Sequence, residues 1–548
     1  MMQELLDTRV RKTVFPVRVI ECRGRVTGAE RLTVARDMQI GLEEQDCTVL
    51  ENTETEEASI LLDFGREMNG CVRILTFLTG SDQPARVRIV CGESVSEAQS
   101  DIGQKNATND HAVRDFEQLL PSRSDTTTNE TGFRFVMLRL LGKNATLSLR
   151  AVTAVAVYRD LPYLGTFSCS DGLLNRIYDT AAYTCHQCLQ QYVWDGIKRD
   201  RLVWMGDMHP EMLAIRTVFG ALPVVRDTLA YIRDTSPLPG WMNYYPTYSL
   251  WWLMNVRDWY FYTGSEDFLR ENSAYFLALT EQTLQAVGND GSDSLPVYFL
   301  DWPTNGTEAG RQGSRALLVW VLRAAAEVCR HLGEATQAER CDAKIAALQK
   351  AGFSWEGRKQ VAAIAALAGC TDEDEAAERI LCDGARGFSV FMSYYLLKVG
   401  AKHDMTAALN ALRQYFGGML SMGATTFWED FDLDWMQNAT PIDMPVSEGK
   451  SDIHGDNGAF CYRGLRHSLC HGWSSSPTAF LAEEVLGIRI AALGCRRMEL
   501  SPKLGDLQWA KGSYPTPLGV LTVECRREAD GSVRTVWDAP VGMEVVLC

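Results

Sequence analysis

From Asp171 to about Gly487 the apolar residues recur at helical spacing through about a dozen segments, with no strand pattern between them. A chain of this kind must bury one face of every helix against another helix. Three arrangements do that: a bundle, a solenoid, or a toroid of paired helices. No fixed-period repeat is present, which disfavours a solenoid. A closed (α/α)6 toroid fits the count and gathers its loops at one end. The segments are Leu173–Tyr192, Pro210–Phe219, Val224–Thr235, Tyr248–Thr263, Glu266–Ala286, Gly310–Leu332, Ala335–Ala351, Gln360–Ala368, Asp372–Leu381, Ser389–Val399, Asp404–Tyr415 and Pro477–Leu486.

The flanks read differently. Residues 1 to about 165 hold short alternating runs, such as SILLDFG, ARVRIVCGE and TLSLRAVTAVAVY, separated by Gly, Asn, Asp and Ser clusters. Such strands at short spacing predict a sandwich. From Ile488 onward the alternation returns in GVLTVECRRE, SVRTVWDAP and MEVVLC. The expected organisation is a multidomain α and β protein. It has an N-terminal β-sandwich (1–165), an (α/α)6 barrel catalytic domain (166–487) and a small C-terminal β domain (488–548). No linker is long, polar or low in complexity, so the three parts are expected to pack rigidly.

Bulk properties narrow the partners. A chain of 548 residues exceeds one compact domain. The net charge of −16 argues against nucleic acid and anionic membrane as partners. The 16 cysteines are irregularly spaced and are no disulfide scaffold at this length. The first twenty residues carry no apolar signal core, and the reading is a cytoplasmic protein with reduced thiols. Cys185 and Cys188 form a C-x-x-C, but a zinc site needs a second ligand pair that the sequence lacks. Two small buried side chains on a helix are expected there.

Chemistry concentrates in interhelical loops. Trp194 to Glu211, WDGIKRDRLVWMGDMHPE, places Asp195, Asp200 and Asp207 among Lys198, Arg199 and Arg201, flanked by Trp194 and Trp204. Carboxylates bind sugar hydroxyls and transfer protons, while indole faces cover the C–H face of a pyranose. A structural salt-bridge knot would show the same residues. A second cluster, TTFWEDFDLDW, carries Glu429, Asp430, Asp432 and Asp434 between Trp428 and Trp435. A third holds Asp301 and Trp302. In the last, HGWSSSPTAF, His471 and Trp473 precede a helix that Ser474–Ser476 could cap. No G-x-S-x-G elbow, P-loop, H-E-x-x-H or dinucleotide fingerprint occurs.

These motifs, in this order, resemble the α-L-rhamnosidases of glycoside hydrolase family 78. Asp195-Gly-Ile-Lys-Arg-Asp-Arg-Leu-Val-Trp-Met-Gly-Asp207 is similar to that family's hallmark, approximately D-C-P-x-R-D-E-R-x-G-W-x-G-D. LDFGREMNG, GFRFVMLRLLG, GTFSCSDGLLNRIY, GATTFWED and HGWSSSPTAFLAEEVLGI extend the likeness over most of the chain. The resemblance implies inverting hydrolysis, with Glu429 as general base. It implies that Asp195, Trp204, Asp207, Asp301, Trp302 and His471 contact the sugar, with Arg199 and Trp428 beside them. The general acid does not carry over: this chain reads R-D-R where the family reads R-D-E-R. Asp200 is the nearest carboxylate, and Glu211 a weaker substitute.

The expected activity is release of terminal α-L-rhamnose from small glycosides or oligosaccharides. Two alternatives stand beside it: a hydrolase of another terminal deoxy- or uronic sugar on the same scaffold, and a catalytically inactive carbohydrate-binding homologue. The expected partner is a carbohydrate substrate. No metal or organic cofactor is required, and the oligomeric state is open, a homodimer included.

Overall fold

A computed structural model describes residues 7–43 and 46–548. The twelve expected helical segments are all present. They are α1 (Gly172–Cys188), α2 (Met208–Val218), α3 (Pro223–Thr235), α4 (Pro246–Thr263), α5 (Glu266–Gln285), α6 (Glu308–His331), α7 (Ala335–Ala351), α8 (Lys359–Leu367), α9 (Glu373–Leu381), α10 (Ser393–His403), α11 (Met405–Ser421) and α12 (Pro477–Phe480). A π-helical turn, Leu481–Val485, continues α12. Side chains close several N-termini. Asp171, Ser265, Thr307, Asp372 and Asp404 each accept from a backbone N–H of the first turn.

The even-numbered helices pack α2 on α4, α4 on α6, α6 on α8, α8 on α10, α10 on α12 and α12 back on α2, which closes a ring. Their composition explains the inner position. In α4, PTYSLWWLMNVRDWYFYT, residues Pro246 to Val256 are buried without a polar stripe, and a helix apolar all round must be enclosed. The outer helices bury one side only. In α3 the buried positions Val224, Val225, Thr228, Leu229 and Ile232 trace a single face. An aromatic stack of His209, Trp251, Trp320 and Tyr395 plugs the bore. The bore is thereby divided into two mouths.

The N-terminal domain is built on one long strand, Ser59–Thr79. Up to Asp63 this strand pairs with Arg18–Arg23, it pairs with Thr131–Leu141 over Ser59–Asp63 and Met68–Gly70, and from Gly70 on it pairs with Thr146–Arg159. The register slips between Asp63 and Met68, where Gly65 has φ +82°. That bulge lets one strand serve both layers of the sandwich. After the barrel, Trp509–Thr516, Gly519–Arg527 and Val533–Asp538 form a sheet with Thr166–Cys169. The connection out of the sandwich, placed in the barrel by its sequence, is therefore a strand of the C-terminal sheet.

Sandwich and barrel touch intimately. A Cβ on Gly132 would lie 2.8 Å from the backbone of Ile197 and Lys198. Glycine is needed there because the hallmark loop rests directly on a sandwich strand. No described helix is long and apolar enough to cross a membrane.

Candidate active site

The loop from Asp195 to Leu202 folds back on itself. Asp195 N–H donates to Leu202 O at 3.1 Å, and Leu202 N–H donates to the Asp195 carboxylate at 2.9 Å. Its tip needs two consecutive left-handed residues, Asp200 (φ +57°) and Arg201 (φ +56°). Aspartate tolerates that region, whereas arginine is strained there. The turn splits the cations. Arg201 swings out to Glu130 and covers Trp194, while Arg199 points in. Trp194 is thus part of the loop's packing rather than a wall of the site.

The inward groups border a cavity of about 290 Å³ at the N-terminal mouth of the inner helices. Asp195, Arg199, Asp200, Trp204, Asp207, Trp302, Glu429 and His471 all line it. Eight of the ten predicted site residues are therefore brought together. The other two lie outside the lining. Asp301 is buried and accepts a hydrogen bond from the Ser389 hydroxyl. Trp428 is only 1 % exposed and packs edge-on against Phe431. Both occur in acid-and-tryptophan runs, but alternate residues of such a run face opposite ways. The serines Ser474 and Ser475 do not cap α12 either: their hydroxyls donate back to His471 O and Gly472 O.

The base candidate is tightly held. Glu429 sits on the loop after α11, its N–H donating to Ser468 O at 2.9 Å. One carboxylate oxygen accepts from Arg199 and the other from Ser468 N–H at 3.1 Å. Burial alone would raise its pKa, but the Arg199 guanidinium, with His471 and His467, holds it down at about 2. Glu429 is thus ionised at neutral pH, as a base must be. Arg199 also donates to Asp200 Oδ1 at 3.1 Å, and Trp204 Nε1–H donates to Asp200 Oδ2 at 3.1 Å. One guanidinium therefore stands between the two candidate catalytic carboxylates.

Asp195 and Asp207 form the opposite wall. Burial and their mutual carboxylate neighbours push both well above the usual range. The shift favours the protonated carboxyl, which can donate as well as accept a hydrogen bond. His471 Nε2 stands 3.8 Å from Asp195 and 3.9 Å from Asp207. Burial lowers its pKa to about 4, so these are not ion pairs. Glu211 is excluded from the cavity by Gly472, where a Cβ would meet Glu211 Oε1 at 1.6 Å. The backbone there seals Glu211 behind the wall, which argues against it as a replacement acid.

Besides Trp473 of the HGWSSS run, five residues not singled out from sequence line the cavity: His111, Tyr245, Tyr248, Cys461 and Arg466. Tyr245 and Tyr248 flank the start of α4 in the run YYPTY, a signal that aromatic density could have supplied. His111 comes from the sandwich domain and stands 3.5 Å from Asp200. No local pattern announces it.

Residues 162–354 match the family described as the bacterial alpha-L-rhamnosidase 6 hairpin glycosidase domain. Among solved structures, the GH78 family rhamnosidase of Bacillus sp. GL1 superposes with a TM-score of 0.76 at 22% identity, covering 92% of this chain and 55% of that one. The alpha-L-rhamnosidase of Dictyoglumus thermophilum gives 0.72 at 16%, covering 98% and 58%. The Klebsiella oxytoca rhamnosidase with rhamnose bound gives 0.66 at 17%, covering 87% and 96%. The chain spans little more than half the length of the first two. No curated protein sequence matches it. Fold and matched domain define a six-hairpin glycoside hydrolase scaffold. The chain shares the fold of these GH78 rhamnosidases, and its residues 162–354 match the six-hairpin glycosidase domain.

Proposed function

We propose that the protein hydrolyses terminal α-L-rhamnosides of small glycosides or oligosaccharides with inversion at the anomeric carbon. The observation that carries this reading is the cavity in which Asp200 and Glu429 lie on either side of Arg199, facing Asp195, Asp207 and His471. In this mechanism Asp200 protonates the leaving oxygen. Each of its oxygens accepts one hydrogen bond, which leaves a lone pair on each to carry the proton. Glu429 takes a proton from water, which attacks from the opposite face. An inverting pair needs about 6.5–9.5 Å between its carboxyl groups to admit that water. The guanidinium spacer supports a separation of the inverting kind, and on substrate binding Arg199 would yield its place to the water. Trp204 and Trp302 supply faces for the pyranose, and Asp195, Asp207 and His471 supply hydrogen bonds to its hydroxyls.

A reducing, cytoplasmic setting belongs to the same proposal. Its support is that all 16 cysteines are unpaired. Arg199's hold on both carboxylates also favours one second reading, carbohydrate binding without hydrolysis.

Hydrolysis of aryl α-L-rhamnosides, beside a panel of other aryl glycosides, tests the proposal. Wild type should release rhamnose as the β-anomer first. Asp200→Asn should be impaired mainly on poor leaving groups, by about 10²-fold, since an aryl group needs little acid assistance. Turnover of a different glycoside alone would reassign the sugar. A folded wild type that binds L-rhamnose and turns over nothing would establish the second reading.

A further inference from the structure

Behind the catalytic wall lies a buried charge cluster that the reaction does not use. Lys198 precedes Arg199, and its side chain is 8 % exposed. It points away from the cavity, into the seam between barrel and sandwich. Its ammonium lies 3.0 Å from Glu93 Oε2 and 3.2 Å from Glu97 Oε1, both on the sandwich. It also donates to Leu465 O at 3.0 Å and to His467 O at 2.5 Å. Glu93, Glu97 and His454 would by themselves suit a metal ion. Lys198 fills that role with its own charge, and it coordinates four partners with a group that offers three protons.

The partners of the cluster are the backbone that holds the base. Glu93 accepts from Leu469 N–H at 2.6 Å. The neighbouring Ser468 N–H donates to Glu429, and Glu429 N–H donates back to Ser468 O. His467, whose carbonyl Lys198 grips, receives the N–H of Asp430 on its ring at 2.8 Å. One sandwich carboxylate thus reaches Glu429 by two routes, through Lys198 to Arg199 and through Leu469 to Ser468.

We propose that Lys198 is a positioning residue, and that the sandwich acids Glu93 and Glu97 use it to fix the distance between the Arg199 loop and the Glu429 loop. The N-terminal domain is then a working part of the catalytic centre and more than an appendage. The titratable groups that face Glu429 are Arg199, His467, His471, Asp207, Asp430, Cys461 and Tyr462. Among them only Arg199 is a permanent cation, so Glu429 reports the loop spacing. If Lys198 lets go, Arg199 drifts from Glu429, whose acidity weakens. This inference rests on the reading of Glu429 as general base.

The test compares Lys198→Met, Lys198→Arg and Glu93→Gln with wild type on an aryl α-L-rhamnoside across pH. Lys198→Met should lower kcat 10- to 100-fold, change KM less than about threefold, and move the acidic limb of kcat/KM upward by about one pH unit. Lys198→Arg should recover most of the rate, and Glu93→Gln should move the limb the same way by less. Leu229→Ala, a core change on α3 remote from the site, controls for stability: it should lower Tm without moving the limb. A folded Lys198→Met with the wild-type kcat and limb overturns the proposal. Should wild type turn over no glycoside, the proposed function fails by itself. The positioning role is then read from the carboxyl 13C shift of Glu429, which must titrate higher in Lys198→Met than in wild type; an unmoved titration overturns it.

Discussion

The two mouths of the barrel are lined by similar residue types and do opposite things with them. The mouth at the C-terminal ends of the inner helices holds the larger cavity, about 490 Å³. Its charges are matched. Glu483 pairs with Arg216 at 2.7 Å and Lys398 at 2.6 Å, and Asp258 pairs with Arg257 at 2.8 Å. Burial disfavours the Glu483 charge, yet Lys398 and Arg216 bring its pKa down to about 2. At the other mouth, Asp195 and Asp207 have no salt-bridging Lys or Arg among the described residues and are pushed up, as is Glu211 sealed behind them. Volume does not distinguish the working end. The distinction is that one mouth pairs its buried carboxyls with cations and the other leaves Asp195 and Asp207 lining a cavity without one.

Four changes would break or sharpen this contrast. The largest effect is expected from Glu429→Gln, which should lower kcat by about 10²- to 10⁴-fold in glycoside hydrolysis. Retained turnover would remove the base from this mouth. Next is Glu483→Gln at the far mouth. It strips Arg216 and Lys398 of their shared partner and should cost about 3–5 kcal/mol in denaturant unfolding, with kcat unchanged in the folded fraction. A lost kcat with intact stability would make the far mouth functional as well. Third, Trp302→Ala should raise KM roughly tenfold through the lost aromatic face, with little change in kcat, as read from initial rates. Equal KM would move the sugar off this wall.

The smallest effect concerns pH. The pKa of Glu211 is raised in the fold, so the native state binds its proton more tightly than the unfolded chain does. Stability from this group is present below the unfolded value near 4.5 and is lost as pH rises toward the folded value. Glu211→Gln should therefore gain about 1 kcal/mol over wild type at pH 8 relative to pH 4, by urea unfolding at both. No pH-dependent difference would mean Glu211 has a partner in solution. Glu483 runs the other way: its depressed pKa contributes stability above about pH 4.5 that is lost as pH falls toward 2.

The barrel was legible because each helix declares its buried face within a few turns of chain. Asp195, Asp200, Asp207 and Glu429 were legible because interhelical loops of one toroid mouth must converge. Asp301 and Trp428 were misplaced because composition does not tell which side of a loop faces the bore. His111 and the Glu93–Lys198 link were invisible for a deeper reason. They depend on how a separate domain docks, across about a hundred residues of chain, and no local period encodes that. The hallmark loop's left-handed tip was equally hidden, since Arg201 carries no turn signal in its type.

The ring closes only when α12 wedges between α10 and α2, and the strand Thr166–Cys169 finds its partner only at Trp509–Thr516. His471, Ser468 and the last inner helix all come late in the chain. During synthesis, the inner helices from α2 (Met208–Val218) onward must therefore stand with an apolar flank open until α12 (Pro477–Phe480) is made. Long-range closure of this sort folds slowly and exposes sticky surface meanwhile. The candidate mouth has no half-built version: it exists when the circle is complete, and a nascent chain halted before His471 carries every hallmark aspartate without a pocket to put them in.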